Sequence, residues 1–564
     1  MINKLKQKFK SYEIDGYIIP KNDEFFSEYA NPNRLKIVSN FSGSAGMALI
    51  LKDKNYLFVD GRYTLQAKLE SGKKFKICEI TKVKPKQILS KFKNKLKIGF
   101  DPKLFTNQSL KKQFLPQCNL IAINDNLVDQ LSITKKLNGQ KFYQLNSKDA
   151  GETTRSKISR LLNHMSKKKI DNIFISAPEN VSWLLNLRGY DNPNSPIPNC
   201  RLILSKSREL YLFSSKYKIL NIRNKIPLKV NFYEENDFYF VINKLKGINF
   251  SIDEISCSIY FEKLISSKFY INTKVDPCYY FKSIKNVIEL NNMEKAHIED
   301  GVALTKFLFW IKNSNIKKLD ELKIEKKLEN FRKRNKNYLY PSFNTIAGSG
   351  PNGAIIHYRA NKKSNRKIRS SDIFLCDSGG QYKYGTTDVT RTICFEKPKK
   401  RIKDIFTRVL KGHIAVASTN LNKVNKGNEL DAKARYWLNK KKLDYGHGTG
   451  HGVGYFLNVH EGPQSLSKYN NTKIENGMIV SNEPGYYEEN KFGIRIENLI
   501  YAKKDRNKFY FKNLTLAPID SDLIDFNLLN FKEKKYLKDY HNLSLRKLSK
   551  FLTMKEKNWL RSLI

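Results

Sequence analysis

A glycine-rich stretch with closely spaced histidines is the part of this sequence best suited to chemistry. His447, His451 and His460 are three of the eight histidines and fall within 14 residues, and five glycines alternate between positions 446 and 454. Histidines four residues apart also occur on helices that bind zinc, but each glycine inside a helix costs about 1 kcal/mol relative to alanine. Glycine instead permits close backbone approach or a sharp bend. We therefore expect a non-helical segment at a metal or catalytic site.

Four carboxylates in strand-like settings are the natural companions of these histidines. Asp377 ends an apolar run, and Asp388 starts a second strand-like run 11 residues later, so a hairpin would bring them together. Glu483 also ends an apolar run, and Glu497 alternates with apolar residues so that it shares a face with Arg495. A solvated surface position would explain any one of these acids. Burial of a carboxylate at the end of an apolar run, however, requires a partner.

The four acids together with His451 form an oxygen-rich set of potential metal ligands. Such a set suits Mn²⁺ best, and Zn²⁺, Co²⁺ or Fe²⁺ less clearly. Four acids around a single dication would repel one another, whereas two ions that share bridging carboxylates would balance the charge. Paired ions also suit hydrolytic chemistry. The residues therefore predict a two-metal hydrolytic site.

Bulk composition narrows the class of protein. A net charge of +49 is compatible with nucleic-acid binding, but the lysines are spread along the whole chain, which places that class below an enzyme. The apolar runs are too short to span a membrane, and the basic N-terminus lacks the apolar core of a signal peptide. The seven cysteines are scattered and never spaced as CxxC, which predicts reduced thiols, a cytoplasmic location and no thiolate metal site.

The helices and strands that must position the site are predicted to fall into several domains, because a chain of 564 residues is too long for a single hydrophobic core. Strand-like runs such as Gly16–Pro20 alternate with helical ones, which is typical of an α/β domain. A similar order follows later, with a helix predicted at Thr153–Lys169, and indicates a duplicated module without chemistry. A helical stretch, Ile284–Lys312, opens the next region. The predicted domains are 1–139, 140–285, 286–503 and a C-terminal extension, 504–564.

A match to the dinucleotide-binding pattern GxGxxG occurs at Gly348–Gly353. That fingerprint requires a helix to follow, so that the helix N-terminus meets the pyrophosphate. The next residues, Ala354–Tyr358, are strand-like in type. We therefore predict no dinucleotide site.

Several sequence words around these residues resemble those of one peptidase family. They are Ser342-Phe-Asn-Thr-Ile, Asn352-Gly-Ala-Ile-Ile-His-Tyr, Gly446-His-Gly-Thr-Gly-His-Gly-Val-Gly and Val459-His-Glu-Gly-Pro. With the five candidate ligands, they resemble the M24 "pita-bread" metallopeptidases, and within them the long, three-domain Xaa-Pro aminopeptidases. The resemblance spans essentially the whole chain. It implies an α/β (α+β) protein with two creatinase-like N-terminal α/β domains, a pita-bread catalytic domain and a homodimer.

The resemblance also implies a role for each candidate ligand. Asp377 would bind one metal ion alone, while His451 and Glu483 would bind the other. Asp388 and Glu497 would bridge the two ions. A hydroxide shared by the ions would be the nucleophile, and Glu483 would act as general base for its proton.

The remaining candidate residues would act on the substrate or support the ligands. His357, His447 and His460 would hold the substrate and stabilise the tetrahedral intermediate. Arg495 would orient the ligands. His460 and Tyr487 would flank a pocket for proline.

The implied activity is removal of the first residue from peptides with proline at position two, with two divalent ions, Mn²⁺ first and Zn²⁺ or Co²⁺ as alternatives. A prolidase restricted to dipeptides, or a creatinase, is the nearest alternative within the fold. A metal-free pita-bread module that binds proteins is a further alternative, but such a module would be expected to lose ligands, and all five are present. Nucleic acid and membrane are not expected partners.

Overall fold

The computed structural model describes residues 1–132, 141–220, 222–223, 226 and 228–563. It forms two compact units, Met1–Tyr279 and Tyr280–Ile564. Both units mix helices and strands, in agreement with the predicted α/β (α+β) class. The predicted boundary between residues 139 and 140 lies outside the described residues, and the other domain boundaries remain predictions.

The first unit contains two six-stranded sheets. In sheet order, the strands of the first are Lys76–Glu79, Asn55–Val59, Met47–Leu51, Gly16–Pro20, Lys97–Phe100 and Asn119–Ala122. Those of the second are Val230–Tyr233, Leu210–Phe213, Arg201–Ser205, Asn172–Ile175, Asn249–Asp253 and Tyr270–Lys274. Each sheet has five pairs of neighbouring strands in the order given. In both sheets the first pair is parallel, the second and third pairs are antiparallel, and the fourth and fifth pairs are parallel. The predicted duplication is therefore present in both strand order and strand direction.

Helices flank these sheets, and a short two-stranded ribbon pairs Tyr143–Gln144 with Leu187–Arg188. The helices before residue 284 are Ile2–Gln7, Arg34–Ser39, Thr64–Ser71, Pro85–Leu89, Asn107–Gln113, Ser147–Ala150, Thr154–Lys167, Pro178–Leu185, Lys216–Ile219, Phe238–Lys244, Ile259–Ser266 and Pro277–Ser283. Helix Thr154–Lys167 matches its prediction closely. The hydroxyl of Thr153 caps it by accepting from the N–H of Ser156.

The second unit is built on several small antiparallel sheets. The five-stranded sheet runs Glu461–Leu466, Gly450–Gly452, Ile479–Asn482, Asn498–Asp505 and Lys508–Asn513. The others are Ile346–Ser349 with Ile373–Ser378 and Val389–Cys394, Tyr338–Pro341 with Gly380–Tyr382 and Gly385–Thr386, and Gly485–Glu488 with Phe492–Arg495. The helices are Val287–Lys312, Glu321–Lys333, Lys400–Ala417, Gly427–Asn439, Phe531–Leu548 and Met554–Arg561. Within the described chain, none of the helices combines the length and apolarity needed to cross a membrane.

The segment after the GxGxxG match differs from its prediction. Residues Gly350–Ala354 form a short 3-10 helix, and the N–H of Tyr358 then donates to the carbonyl of Ile355 in a turn. The strand-like assignment of Ala354–Tyr358 was wrong. Gly350 has a positive φ of 53° and Pro351 fixes the first turn, so backbone geometry outweighs the β-branched residues that follow.

All seven cysteines are free and buried. Five lie in the first unit, while Cys376 and Cys394 lie on neighbouring strands of the second. This matches the predicted absence of paired thiols. Burial raises the pKa of Cys376 to about 12, so its thiol stays protonated and packs as a small apolar group.

A buried ion pair connects the first two helices of the second unit. Arg332 on Glu321–Lys333 donates through Nε to Oδ1 of Asp300 on Val287–Lys312 at 2.7 Å. The hydroxyl of Tyr382 donates to the same oxygen at 2.8 Å. Both charged side chains are about 2% exposed.

We expect Arg332→Met to lower the free energy of unfolding by about 3–5 kcal/mol, because Asp300 would remain buried without its cationic partner. Lys333→Met is the matched control. Lys333 is the next residue on the same helix but is 60% exposed, so its change should stay within about 0.5 kcal/mol. The measurement is the thermal unfolding midpoint of the full chain, and equal midpoints for the two variants would contradict the expectation.

Candidate metal centre

Five predicted ligands come together where strands of the second unit end. Asp377 lies on Ile373–Ser378 opposite Thr390 of the neighbouring strand, and Asp388 directly precedes that strand. The ligand atoms form three overlapping groups, each with its atoms within 4.8 Å of one another. These groups are Asp377 with Asp388 and Glu497, His451 with Glu483 and Glu497, and Asp388 with His451 and His460. His460 was predicted to hold the substrate and not to be a ligand, yet a nitrogen of its ring lies within 4.8 Å of ligand atoms of Asp388 and His451.

The glycine-rich stretch is extended at the site, as expected, and not helical. It supplies the strand Gly450–Gly452, with His451 at its centre. A Cβ atom on Gly450 would lie 1.9 Å from the carbonyl oxygen of Ser481, so only glycine allows this approach. The N–H of His451 donates to the hydroxyl of Ser481 at 2.9 Å, which fixes the histidine backbone beside Glu483.

The ring of His451 is oriented as in a metal-binding histidine. Its Nδ1 faces the carbonyl of Gly452 at 2.9 Å, while Nε2 faces Asp388 Oδ2 at 3.4 Å and Glu483 Oε1 at 3.6 Å. Burial lowers the pKa of His451, but the contact with Asp388 and the charge of Glu483 outweigh it and raise the pKa to about 9. Nε2 would hold a metal ion as the neutral imidazole, with Nδ1–H kept on the carbonyl of Gly452.

The acidic groups are costly to hold together without cations. Burial, reinforced by neighbouring carboxylates, raises the pKa of Asp377, Glu483 and Glu497. Oxygen Oδ1 of Asp377 is buried and accepts no hydrogen bond from any described residue. These carboxylate oxygens lie close together, and one of them has no hydrogen-bond donor among the described residues. Such a group suits divalent cations that prefer oxygen ligands.

Arg495 supports the ligands through three hydrogen bonds from its guanidinium. It donates to Asp377 Oδ2 at 2.6 Å, to the Thr390 hydroxyl at 3.0 Å and to the Tyr487 hydroxyl at 2.5 Å. The Thr390 hydroxyl donates in turn to Glu497 Oε2 at 2.8 Å. Arg495 and Glu497 therefore reach the same side, as their alternation predicted, although the strand Phe492–Arg495 ends before Glu497.

The predicted substrate-contacting residues lie at different places around the cluster. The His447 ring has Nε2 2.9 Å from the Tyr487 hydroxyl and Nδ1 3.9 Å from Glu483 Oε2. The His460 ring lies edge-on to His451, with centroids 4.3 Å apart. Tyr487 thus belongs to a hydrogen-bonded chain from His447 to Arg495, and its predicted role at a proline pocket remains a prediction.

His357 is half-buried in the turn after the 3-10 helix. This segment approaches the strand that carries Arg495 through glycines, because a Cβ atom on Gly493 would lie 1.8 Å from the Gly353 carbonyl oxygen. The predicted contact of His357 with the substrate stays a prediction.

Thr390 was not predicted from the sequence, although it contacts both Glu497 and Arg495. A signal was available. Thr390 follows Asp388 by two residues in an alternating strand, which places both on the same face.

A further group, formed by Cys394, Asp520 and Asp522, also has the spacing of metal ligands. Its charge is balanced by Lys312, whose Nζ lies 2.8 Å from a carboxylate oxygen of each aspartate. The ammonium group occupies the position that a cation would take. This cluster is therefore explained as an ion-pair network.

Comparison with known proteins identifies the family. Sequence profiles match at residues 1–131 and 134–289 (Creatinase/Prolidase N-terminal domain), 291–504 (Metallopeptidase family M24) and 508–563 (C-terminal region of peptidase_M24). A protein of Laccaria bicolor named "Probable Xaa-Pro aminopeptidase P" is 36% identical over 581 residues, covering 97% of this chain and 90% of its own length. The chain belongs to the aminopeptidase P group of the M24 metallopeptidases.

Solved structures agree with this membership. The X-prolyl aminopeptidase of Caenorhabditis elegans, described as a cytosolic enzyme with a di-nuclear active site, has a TM-score of 0.92. It is 29% identical, and the match covers 100% of this chain and 98% of that one. An Xaa-Pro dipeptidase from Bacillus anthracis shares the fold over 65% of this chain and 99% of its own, with a TM-score of 0.55 and 22% identity. The predicted family, the fold class and the assignment as a peptidase are confirmed.

The geometry predicts a division of labour between two histidines of this M24 peptidase. His451→Ala should lose metal, because its Nε2 faces two carboxylates. His447→Ala should keep its metal and lose on the order of 10²–10³ in kcat/KM, as is typical for loss of a donor to developing charge.

The measurements are metal content by mass spectrometry and peptide cleavage at saturating metal. His460→Ala serves as a further variant and should behave like His447→Ala. If His447→Ala strips metal as completely as His451→Ala, the two roles have been assigned wrongly.

Proposed function

We propose that this chain removes the first residue from peptides whose second residue is proline, using two divalent metal ions. The observation that carries the proposal is the cluster of four carboxylates, three of them buried and Glu483 half-buried, with the imidazole of His451. Similarity over nearly the full length to proteins named Xaa-Pro aminopeptidase P supports the substrate class.

The residues present fit a pair of metal ions. Asp377 would hold one ion, His451 and Glu483 the other, and Asp388 with Glu497 would bridge them. The overlap of the ligand groups at Asp388 and Glu497 supports this assignment. Ions bound there would activate water and polarise the scissile carbonyl. Mn²⁺ is the proposed ion, with Zn²⁺ or Co²⁺ as alternatives.

Glu483 is the proposed general base. Its Oε1 accepts from the Ser481 hydroxyl at 3.1 Å, which fixes the carboxylate beside the cluster. Burial is the main cause of the raised pKa of Glu483, and cations held by the cluster would offset this effect and keep the carboxylate ionised.

The histidines are proposed to act on the substrate. The ring of His447 lies beside Glu483, with Nδ1 at the Gly448 carbonyl and Nε2 at the Tyr487 hydroxyl, so Nε2 would exchange the Tyr487 hydroxyl for the substrate. His447, His460 and His357 would hold the peptide and donate to charge on the carbonyl oxygen. His460 and Tyr487 would flank the proline ring.

The alternative within the fold is a prolidase that accepts dipeptides only. The C. elegans X-prolyl aminopeptidase corresponds to the whole of this chain at 29% identity, and curated relatives similar over nearly the full length are named Xaa-Pro aminopeptidase P. This similarity favours the aminopeptidase. A metal-free binding module is disfavoured, because it would not need to keep costly buried acids.

A cytoplasmic location and a homodimer complete the proposal. Seven free buried thiols are consistent with a reducing compartment, and the C. elegans relative is described as cytosolic. The homodimer rests on the family resemblance alone.

We expect Asp388→Asn to lose bound metal and activity together, because a bridging ligand serves both ions. The loss in kcat/KM should exceed the about 10–100-fold that is typical of changes outside the ligand shell. Metal per chain and release of the first residue from a peptide are measured on the same samples. Asp404→Asn, on the helix Lys400–Ala417, is the matched control. Two retained ions with near-normal turnover would refute the bridging role.

Specificity is tested with Arg-Pro-Pro, Arg-Pro and Arg-Ala-Pro at equal concentration with Mn²⁺. We expect cleavage of Arg-Pro-Pro and rejection of Arg-Ala-Pro, because an Xaa-Pro bond is a tertiary amide with no N–H. N-acetylated Arg-Pro-Pro, which lacks the free α-amine, should resist cleavage. Cleavage of Arg-Pro alone would indicate a prolidase, and efficient cleavage of Arg-Ala-Pro would refute the proline requirement.

A further inference from the structure

A buried arginine links the two chain segments that carry the proposed bridging acids. Arg391 is 3% exposed and follows Thr390 on the strand Val389–Cys394. Its Nη1 donates to the carbonyl of Thr390 at 2.8 Å and to the carbonyl of Glu497 at 2.7 Å. A single nitrogen thus joins the backbone two residues after Asp388 to the backbone of Glu497 itself. Together with the N–H of Glu497, which donates to the Thr390 carbonyl at 3.2 Å, that nitrogen sets the separation of the two segments.

The C-terminal segment holds the other side of the same guanidinium. Nε of Arg391 donates to the carbonyl of Pro518 at 2.9 Å, and Nη2 donates to the carbonyl of Ala517 at 2.7 Å and to the hydroxyl of Tyr540 at 2.9 Å. Tyr540 lies on helix Phe531–Leu548, and its hydroxyl donates to the Ala517 carbonyl at 2.6 Å. Three points of the C-terminal region therefore converge on Arg391.

The chemistry of these contacts suits a fixed scaffold. The acceptors of Arg391 are backbone carbonyls, the Tyr540 hydroxyl and the side-chain oxygen of Asn498 at 2.7 Å. Each is uncharged, and the planar guanidinium sets the direction of each hydrogen bond. Nη2 has three acceptors for its two N–H groups, so loss of the Tyr540 hydroxyl would shift its hydrogen bonds toward Asn498 and Ala517 and leave no N–H unpaired. Any shift of the guanidinium that follows would act on the carbonyl of Glu497, which Nη1 holds.

We propose that the C-terminal segment from Ala517 to Tyr540 positions the bridging acids of the metal centre through Arg391. Arg391 and Tyr540 are positioning residues, and their effect reaches the metal through the peptides of Thr390 and Glu497. The inference rests on the proposed two-metal function. It assigns the C-terminal helices a part in metal affinity, in addition to covering the core.

The test measures Mn²⁺ binding by calorimetry on the metal-stripped full chain. Tyr540→Phe should weaken binding several-fold, and Arg391→Lys should weaken it by about 10–100-fold, the range typical of residues behind metal ligands. Tyr536→Phe is the matched control, because Tyr536 is a half-buried tyrosine one turn earlier whose hydroxyl accepts from Asn513. It should bind Mn²⁺ as the wild type does.

Thermal midpoints of the metal-free proteins separate this role from a purely structural one. Tyr540→Phe and Tyr536→Phe should lower the midpoint similarly, whereas only Tyr540→Phe should lose metal affinity and regain turnover at high Mn²⁺. Equal affinities for Tyr540→Phe and Tyr536→Phe would overturn the inference even if Arg391→Lys fails to fold. A wild-type chain that binds no Mn²⁺ yet folds would overturn the proposed function itself.

Discussion

Repulsion among buried carboxylates is the constraint on which the catalytic unit depends. Two like charges about 4 Å apart repel by about 4 kcal/mol at the effective dielectric near a protein surface, and the four acids lie close enough to share ligand groups. Arg495 offsets part of this through its contact with Asp377. Burial first, and then repulsion by neighbouring carboxylates, raises the pKa of three of the acids. Folding must therefore hold together groups that would separate if they were free.

The antiparallel pairing of short strands supplies that restraint. Asp377 stands opposite Thr390 in the register, and the N–H of Glu497 donates to the carbonyl of Thr390. The side chain of Thr390 then contacts Glu497 and Arg495. Thr390 thus connects the carboxylate of Glu497 and the guanidinium of Arg495 to the strand that pairs with Asp377. The ligands need no direct contact with one another to be held in place.

The sequence predicted the parts of the site that follow local rules. Apolar runs that end in an acid placed Asp377 and Glu483, and alternation placed Arg495 beside Glu497. The strand-like assignment of Ala354–Tyr358 was wrong because Gly350 and Pro351 set the backbone there. Thr390 and Tyr540 were missed for a different reason. Their partners lie 107 and 149 residues away along the chain, and such contacts exist only once the strands and the C-terminal helix have packed.

The reactivity of the buried thiols can report local unfolding of the protein. Because all seven are free and buried, a thiol reagent added to the folded chain can react only when the surrounding packing opens. Cys376 adjoins Asp377, and Cys394 ends the strand that carries Thr390 and Arg391. Five other cysteines mark the two duplicated sheets and their helices. Site-resolved alkylation rates would therefore time the opening of each unit separately, without an added label.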